Sequence, residues 1–280
     1  MKNVAARIPR RTLLVGCGKI GTRLGLQLHE HGGEVFAVRR RTDALPSAFD
    51  AIAADLGRPL EQELPLVDAM VITLPPAAAQ QGYRVALEHL AEGLPARPRR
   101  TVFVSSTGVF EGWTGHQPIT EDVTPAPSSP RSENLLDGER AAIDLFSAVI
   151  LRPAGIYGAG REFLIRRVLA GEPISYARRT NRVHESDLVR ALAILVGTER
   201  PPSVLHAVDQ SPAPLGDVAE HISGLLGVAR PSRSDGDAVS GNVFDGAAFV
   251  SLLGELEYPD FRSGYDAVVR AREVRLAREG

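Results

Sequence analysis

Residues 12–38 constrain the fold more than any other stretch of this chain. Thr12-Leu13-Leu14-Val15 is a short apolar run that leads into Val15-Gly16-Cys17-Gly18-Lys19-Ile20-Gly21, a G-x-G-x-x-G string. Lys19 to His31 carries Ile20, Leu24 and Leu28 on one helical face, and Glu34-Val35-Phe36-Ala37-Val38 reads as a second strand. The whole is a βαβ unit in which the helix N-terminus points at a pyrophosphate. Gly16 permits the tight turn, Gly18 removes the side chain that would block the phosphates, and Gly21 lets the helix pack close to the strand. The expected ligand is a dinucleotide, held along Gly16, Cys17, Gly18, Lys19, Ile20 and Gly21. The alternative is a glycine-rich turn with no ligand.

The end of the second strand bears on which dinucleotide. A site for NAD usually has an acid there, accepting hydrogen bonds from the ribose hydroxyls. This strand ends Val38-Arg39-Arg40-Arg41. A guanidinium can hold a 2′-phosphate through two parallel charge-assisted bonds. Arg39 and Arg40 therefore point to NADP over NAD; the alternative is a solvated basic turn.

Strand and helix signals continue to alternate. Strands are expected over 49–54, 69–74, 101–104, 148–151 and 204–208. Helices are expected over 77–90, 133–146, 161–170, 187–196 and 215–226, with a charged helical tail from Ala271. Such alternation predicts an α/β fold, a doubly wound parallel sheet with a small substrate-side lobe. The expected division is 1–160 with 181–209 for the dinucleotide-binding domain, and 161–180 with 210–280 for the lobe. Residues 112–130 are rich in proline and polar residues and are expected to form a long loop, with Glu121 and Asp122 facing solvent. Residues 230–242 are expected to be a second, mobile loop.

Composition closes off several functions. A net charge of -2 gives no electrostatic case for nucleic acid or an anionic membrane. The single cysteine, Cys17, excludes an intramolecular disulfide and a cysteine-rich zinc site, and it reads as packing inside the loop. The seven histidines show no paired ligand spacing, so no metal is expected. No signal peptide or membrane-length apolar run is evident, and a cytoplasmic location is expected. Oligomeric state stays open.

Five segments, taken in order, resemble the extended short-chain dehydrogenase/reductase family, which includes nucleotide-sugar epimerases and dehydratases. VGCGKIG is similar to its cofactor loop. Ala53-Ala54-Asp55-Leu56 is similar to its third-strand end, where an Asp bonds the adenine. VSSTGVFEG (104–112), LRPAGIYGAGR (151–161) and NRVHESDLVRAL (181–192) are similar to its S-S-x-x-V-Y-G, nicotinamide-side and substrate-side segments. The resemblance implies cofactor contacts at Asp55, Leu56, Leu74, Pro75, Pro153 and Gly155.

One departure is large. The family's catalytic Tyr-x-x-x-Lys precedes a Glu by four residues. Aligning that Glu with Glu139 puts Leu135 at the Lys position and Arg131 at the Tyr position, and the chain's only lysines are Lys2 and Lys19. This resembles the atypical YeeZ-like branch, as does LGELEYPDFRSGYDAVV (253–269). The remaining catalytic candidates are Ser106, which matches the family's hydroxyl donor, Tyr157 and His184. Each has a structural alternative: a strand-end hydroxyl, a packed aromatic and a hydrogen-bonded histidine. Asp187 is expected to cap its helix. Arg131 and Arg161 are substrate candidates, Arg131 for an anionic substrate group; the alternative for Arg131 is a plain surface position. Two functions stay open: an NADP-dependent oxidoreductase or epimerase-like enzyme acting on a small molecule, and a catalytically silent NADP-binding redox sensor.

Overall fold

The computed structural model describes residues 8–75, 82–234 and 239–279. In chain order the elements are β1 (Arg11–Val15), α1 (Lys19–Glu30), β2 (Glu34–Arg39), β3 (Asp50–Ala53), β4 (Ala69–Ile72), α2 (Tyr83–Glu92) and β5 (Arg100–Val104). A 3-10 turn (Thr107–Phe110), α3 (Pro130–Phe146), β6 (Val149–Pro153), β7 (Gly155–Tyr157), α4 (Phe163–Leu169), β8 (Arg179–Thr180) and β9 (Arg182–His184) follow. The chain ends with α5 (Glu185–Gly197), β10 (Val204–Ala207), β11 (Ala213–Pro214), α6 (Leu215–Leu226), α7 (Ala247–Leu253) and α8 (Phe261–Glu279).

Seven strands form a parallel sheet flanked by helices, in the order β10-β6-β5-β4-β1-β2-β3. This is the doubly wound fold expected from the sequence. Its central strands carry continuous apolar runs because both faces are covered. Leu13 to Val15 and Ala69 to Ile72 are all at most 1% exposed. The strand order reverses between β1 and β4, and ligands bind at such a switch point in open α/β sheets. On α1, Ile20, Leu24 and Leu28 are buried at i, i+4 and i+8, as their spacing predicts.

The chain divides into two compact units. The first holds the described parts of Met1–Trp113, Thr124–Arg152 and Val189–Leu205; the second holds Thr114–Val123, Pro153–Leu188 and those of His206–Gly280. In the first unit Gly138 lets α3 approach α2, since a Cβ there would stand 2.8 Å from the Tyr83 ring. Tyr83 in turn meets Phe103 edge-on at 5.5 Å. In the second unit α4, α6 and α8 enclose a core that includes Ile165, Val168, Val218, Ile222, Phe261 and Val268.

Some expectations need correction. The helix expected from Ala77 is seen over Tyr83–Glu92, and residues 76–81 lie outside the described ones. The terminal helix begins at Phe261, ten residues before the charged tail. Short strands β7 and β9, which pair in parallel, and helix α7 gave no readable signal. Three-residue strands are too short to show alternation. Within 112–130, Asp122 is exposed, but Glu121 is half-buried and accepts the His206 backbone N–H at 3.0 Å. Ile119 in the same segment is fully buried and bridges to Phe244. Of residues 230–242, 235–238 lie outside the described ones.

Candidate cofactor and active site

The loop between β1 and α1 has the geometry its glycines imply. Gly16 adopts φ +77°, and a Cβ there would stand 2.9 Å from Leu74 Cδ2 and 3.0 Å from the Leu74 nitrogen. The turn after β1 thus lies against the end of β4. Gly18 is exposed, and a Cβ on it would meet nothing nearer than the Gly16 carbonyl at 3.8 Å. It is also the N-cap of α1, with no side-chain cap. The cap residue thus offers no side-chain acceptor to the first-turn N–H groups, which suits an anion. A Cβ on Gly21 would reach Cys17 Sγ at 3.3 Å and Thr73 Oγ1 at 3.7 Å, so its job is close packing. Lys19 is exposed and Ile20 is buried. Cys17 is fully buried, and burial pushes its thiol up, which keeps it protonated and unreactive.

Arg39 is the last residue of β2 and is half-buried. Its charge acts through space on the Cys17 thiol of the glycine loop. Arg40 is exposed just beyond the strand. Asp55 is exposed, and its Oδ1 accepts the Gly57 N–H at 3.1 Å, leaving Oδ2 for a further donor. Leu56 is buried and its carbonyl bonds the His89 ring at 2.9 Å. The Leu74 carbonyl accepts the Tyr83 hydroxyl at 2.7 Å, and Pro75 is exposed beside it. These residues fit a dinucleotide: a glycine cradle that a Cβ would fill, an uncapped helix end and cations at the second strand.

Beyond β5, Ser106 caps the 3-10 turn, its Oγ accepting the Gly108 N–H at 3.0 Å. Among the described residues no acceptor takes its proton. A Cβ on Gly108 would lie 3.3 Å from Ser106 Oγ, 3.6 Å from Leu135 Cδ1 and 3.8 Å from Arg131 Nη1. Ser106, Arg131 and Leu135 therefore converge on one point. Arg131 is exposed and Leu135 buried.

Helix α3 is held in rotation by a buried ion pair. Arg152 donates to Glu139 from Nε at 2.9 Å and from Nη2 at 2.7 Å, and Ser105 donates to the same carboxylate at 2.6 Å. Glu139 follows Leu135 by one turn, so this anchor sets where Leu135 and Arg131 emerge. The sequence marks Glu139 but not its partners, which lie just after β5 and within β6. At the start of α3, Glu111 accepts from the Ser129 and Ser132 hydroxyls, which hold its carboxyl below the usual range.

In the second unit Tyr157 is a packed aromatic. It stacks on Tyr265 at 4.7 Å, meets His184 edge-on at 5.2 Å and donates to the Asp260 carbonyl at 3.4 Å. A Cβ on Gly264 would overlap its hydroxyl, and burial pushes its phenol far above the ordinary value. His184 is buried beside Tyr258, with Nδ1 accepting the Ser186 N–H at 3.2 Å. Arg161 is the counter-ion of buried Glu185 at 3.4 Å. Pro153 is buried, and exposed Gly155 donates to the Asn181 carbonyl at 3.2 Å. Asp187, in the first turn of α5, accepts the N–H groups of Glu257 at 2.8 Å and Tyr258 at 3.1 Å, fixing the turn before α8. Asp209 carried no sequence signal. It is 2% exposed, its Oδ1 accepts the Ser211 N–H at 3.1 Å, and its Oδ2 has no hydrogen-bond partner among the described residues. Burial pushes its carboxyl up to about 7, against the pull of Arg182.

Among the described residues, no helix is long and apolar enough to cross a membrane. No family model matches the chain, and no curated protein is a significant match. Solved structures match over nearly all of it. A Methylobacillus flagellatus protein assigned as an NAD-dependent epimerase/dehydratase is 26% identical with a TM-score of 0.81, over 95% of this chain and 100% of that one. MoeE5, solved with UDP-glucose and NAD, is 26% identical with a TM-score of 0.75, over 95% and 99% of the two chains. A Burkholderia cenocepacia J2315 protein assigned as an epimerase shares the fold at 20% identity, TM-score 0.76, over 95% and 98%. The structural neighbours are thus NAD-dependent epimerase/dehydratase-like proteins of the extended short-chain dehydrogenase/reductase family, the family that the sequence motifs resemble.

Proposed function

We propose that this protein is a nicotinamide-dinucleotide-dependent oxidoreductase or epimerase-like enzyme acting on a small molecule, with Ser106 as the residue that polarises the substrate. The observation that carries the reading is the open glycine cradle at the uncapped N-terminus of α1, at the sheet's switch point. When bound, the cofactor supplies a hydride donor or acceptor. The chain's own part is to hold the pyrophosphate on the first turn of α1 and to offer the Ser106 proton to a substrate oxygen. With its lone pair engaged by the Gly108 N–H, that hydroxyl has its proton free to donate. Tyr157 and His184 are assigned to packing.

The neighbours solved with NAD favour a nicotinamide cofactor in general. Arg39 and Arg40, standing where an NAD site carries an acid, favour NADP in particular. Each arginine–phosphate contact contributes about 1–2 kcal/mol by analogy with charge-assisted bonds. Replacing both by Ala is expected to weaken NADPH at least about tenfold, by the same charge-assisted estimate, while NADH changes little. Equal losses in titration calorimetry overturn the NADP assignment.

A second reading is favoured by Leu135 and Arg131 at the family's Lys and Tyr positions: an NADP-binding redox sensor without turnover. NADPH oxidation against a panel of carbonyl and imine compounds separates the two. Turnover abolished by Ser106→Ala, with NADPH affinity intact, supports the enzyme. Tight NADPH binding with no turnover on any of the panel supports the sensor.

A further inference from the structure

We propose that the substrate carries a carboxylate directly beside its reacting carbonyl, as a 2-oxo acid or 2-hydroxy acid does, and that Arg131 is the residue that binds it. The proposal rests on the oxidoreductase reading above and deepens it. Its basis is the convergence around Gly108. Ser106 Oγ and Arg131 Nη1 both lie within 3.8 Å of one point, the place a Gly108 side chain would fill. A glycine keeps that space free. A hydroxyl donor and a guanidinium that border the same small space can serve two acceptors on one small molecule. A carbonyl oxygen and the carboxylate on the next carbon are such a pair.

The electrostatics agree. Arg131 is exposed and, among the described residues, makes no hydrogen bond or ion pair. Arg131 acts through space on Glu111, but the Ser129 and Ser132 hydroxyls hold that carboxylate at the start of α3. The guanidinium is therefore left with donors for an incoming anion, in the planar fork that suits a carboxylate. Tyr83, the other titratable group that feels Arg131, is buried and protonated, its hydroxyl given to the Leu74 carbonyl. Leu135 supplies an apolar wall, so the body of the substrate is a short uncharged chain. The Glu139–Arg152 pair keeps α3 from rotating this set apart.

The test uses oxamate, a non-reducible 2-oxo acid mimic, and its uncharged ethyl ester. Both are titrated by calorimetry into the full chain, with and without saturating NADPH. Oxamate is expected to bind at least about tenfold tighter than the ester, the scale of one charge-assisted bond. Arg131→Ala should remove that difference, Arg131→Lys should keep part of it, and NADPH affinity should not change in either. No oxamate binding, or binding within twofold of wild type in Arg131→Ala, overturns the proposal. Inorganic phosphate displacing oxamate with higher affinity also overturns it, in favour of a phosphorylated substrate. Arg131-dependent oxamate binding without NADPH- or NADH-linked turnover of 2-oxo acids would retire the oxidoreductase reading and leave the anion site standing. Equal turnover of neutral carbonyls and 2-oxo acids would do the reverse.

Discussion

Each unit of this protein buries an acid near an arginine, and the two pairs behave in opposite ways. In the first unit Glu139 is 2% exposed and receives three donors, two from Arg152 and one from Ser105. In the second unit Asp209 is equally buried, but it receives one backbone N–H, and its other oxygen has no hydrogen-bond partner among the described residues. Arg182 acts on it only through space; like Arg152, it has one buried nitrogen with no hydrogen-bond partner among the described residues. Burial costs a charge the same hydration in both places. What differs is the number of donors delivered to the carboxylate, and with only one of them burial pushes the Asp209 carboxyl up. The first arrangement anchors a helix; the second leaves a carboxyl that titrates near neutrality.

The comparison breaks most readily at Glu139. Glu139→Gln leaves the Arg152 guanidinium buried without its counter-charge, and should cost about 3–5 kcal/mol in urea unfolding. A loss under about 1 kcal/mol would mean that the pair is not the anchor described here. Ser105→Ala removes one donor to the same carboxylate and should cost about 1.5 kcal/mol, the scale of a hydrogen bond to a charged group. Asp209→Asn should act with the opposite sign, raising stability at pH 8 by on the order of 1 kcal/mol because a buried, poorly served charge is gone.

The pH dependence of that last effect follows from its direction. The folded carboxyl titrates near 7, above its unfolded value, so the folded state holds the extra proton. Stability from this group is therefore present at low pH and is lost as pH rises toward 7. Thermal melts of Asp209→Asn should show a flatter slope between about pH 4 and 7 than wild type. An unchanged slope would place the titrating group elsewhere. The smallest effect is expected one residue from Ser105. Ser106→Ala should change stability by about 0.5 kcal/mol or less, since it loses only the cap of a single turn, while turnover falls.

Those adjacent serines show how far the residues alone could be read. The string Val104-Ser105-Ser106 marks a strand end with two hydroxyls, and the family resemblance singles out Ser106. Only the packed structure shows that Ser105 turns inward to Glu139 while Ser106 caps the next turn. Tyr157 gave a phenol in a familiar segment; its burial against Tyr265 and Gly264 came from a helix more than a hundred residues later. Glu121, read as solvent-facing from its polar neighbours, holds the His206 backbone instead.

What the sequence determined by itself was local. A G-x-G-x-x-G string between an apolar strand and an amphipathic helix dictates a turn with positive φ, an uncapped helix end and parallel strands. Those depend on backbone sterics within a few residues. The absence of Tyr and Lys on the helix at 130–146 was equally plain from residue identity. The tertiary structure decided how many donors each buried acid receives, and whether Arg131 meets Ser106. Both depend on where segments far apart in the chain are packed, and burial makes the outcome turn on distances of an ångström or two. Residue types name the groups that can bond; only the packed chain sets which of them are close enough to do so.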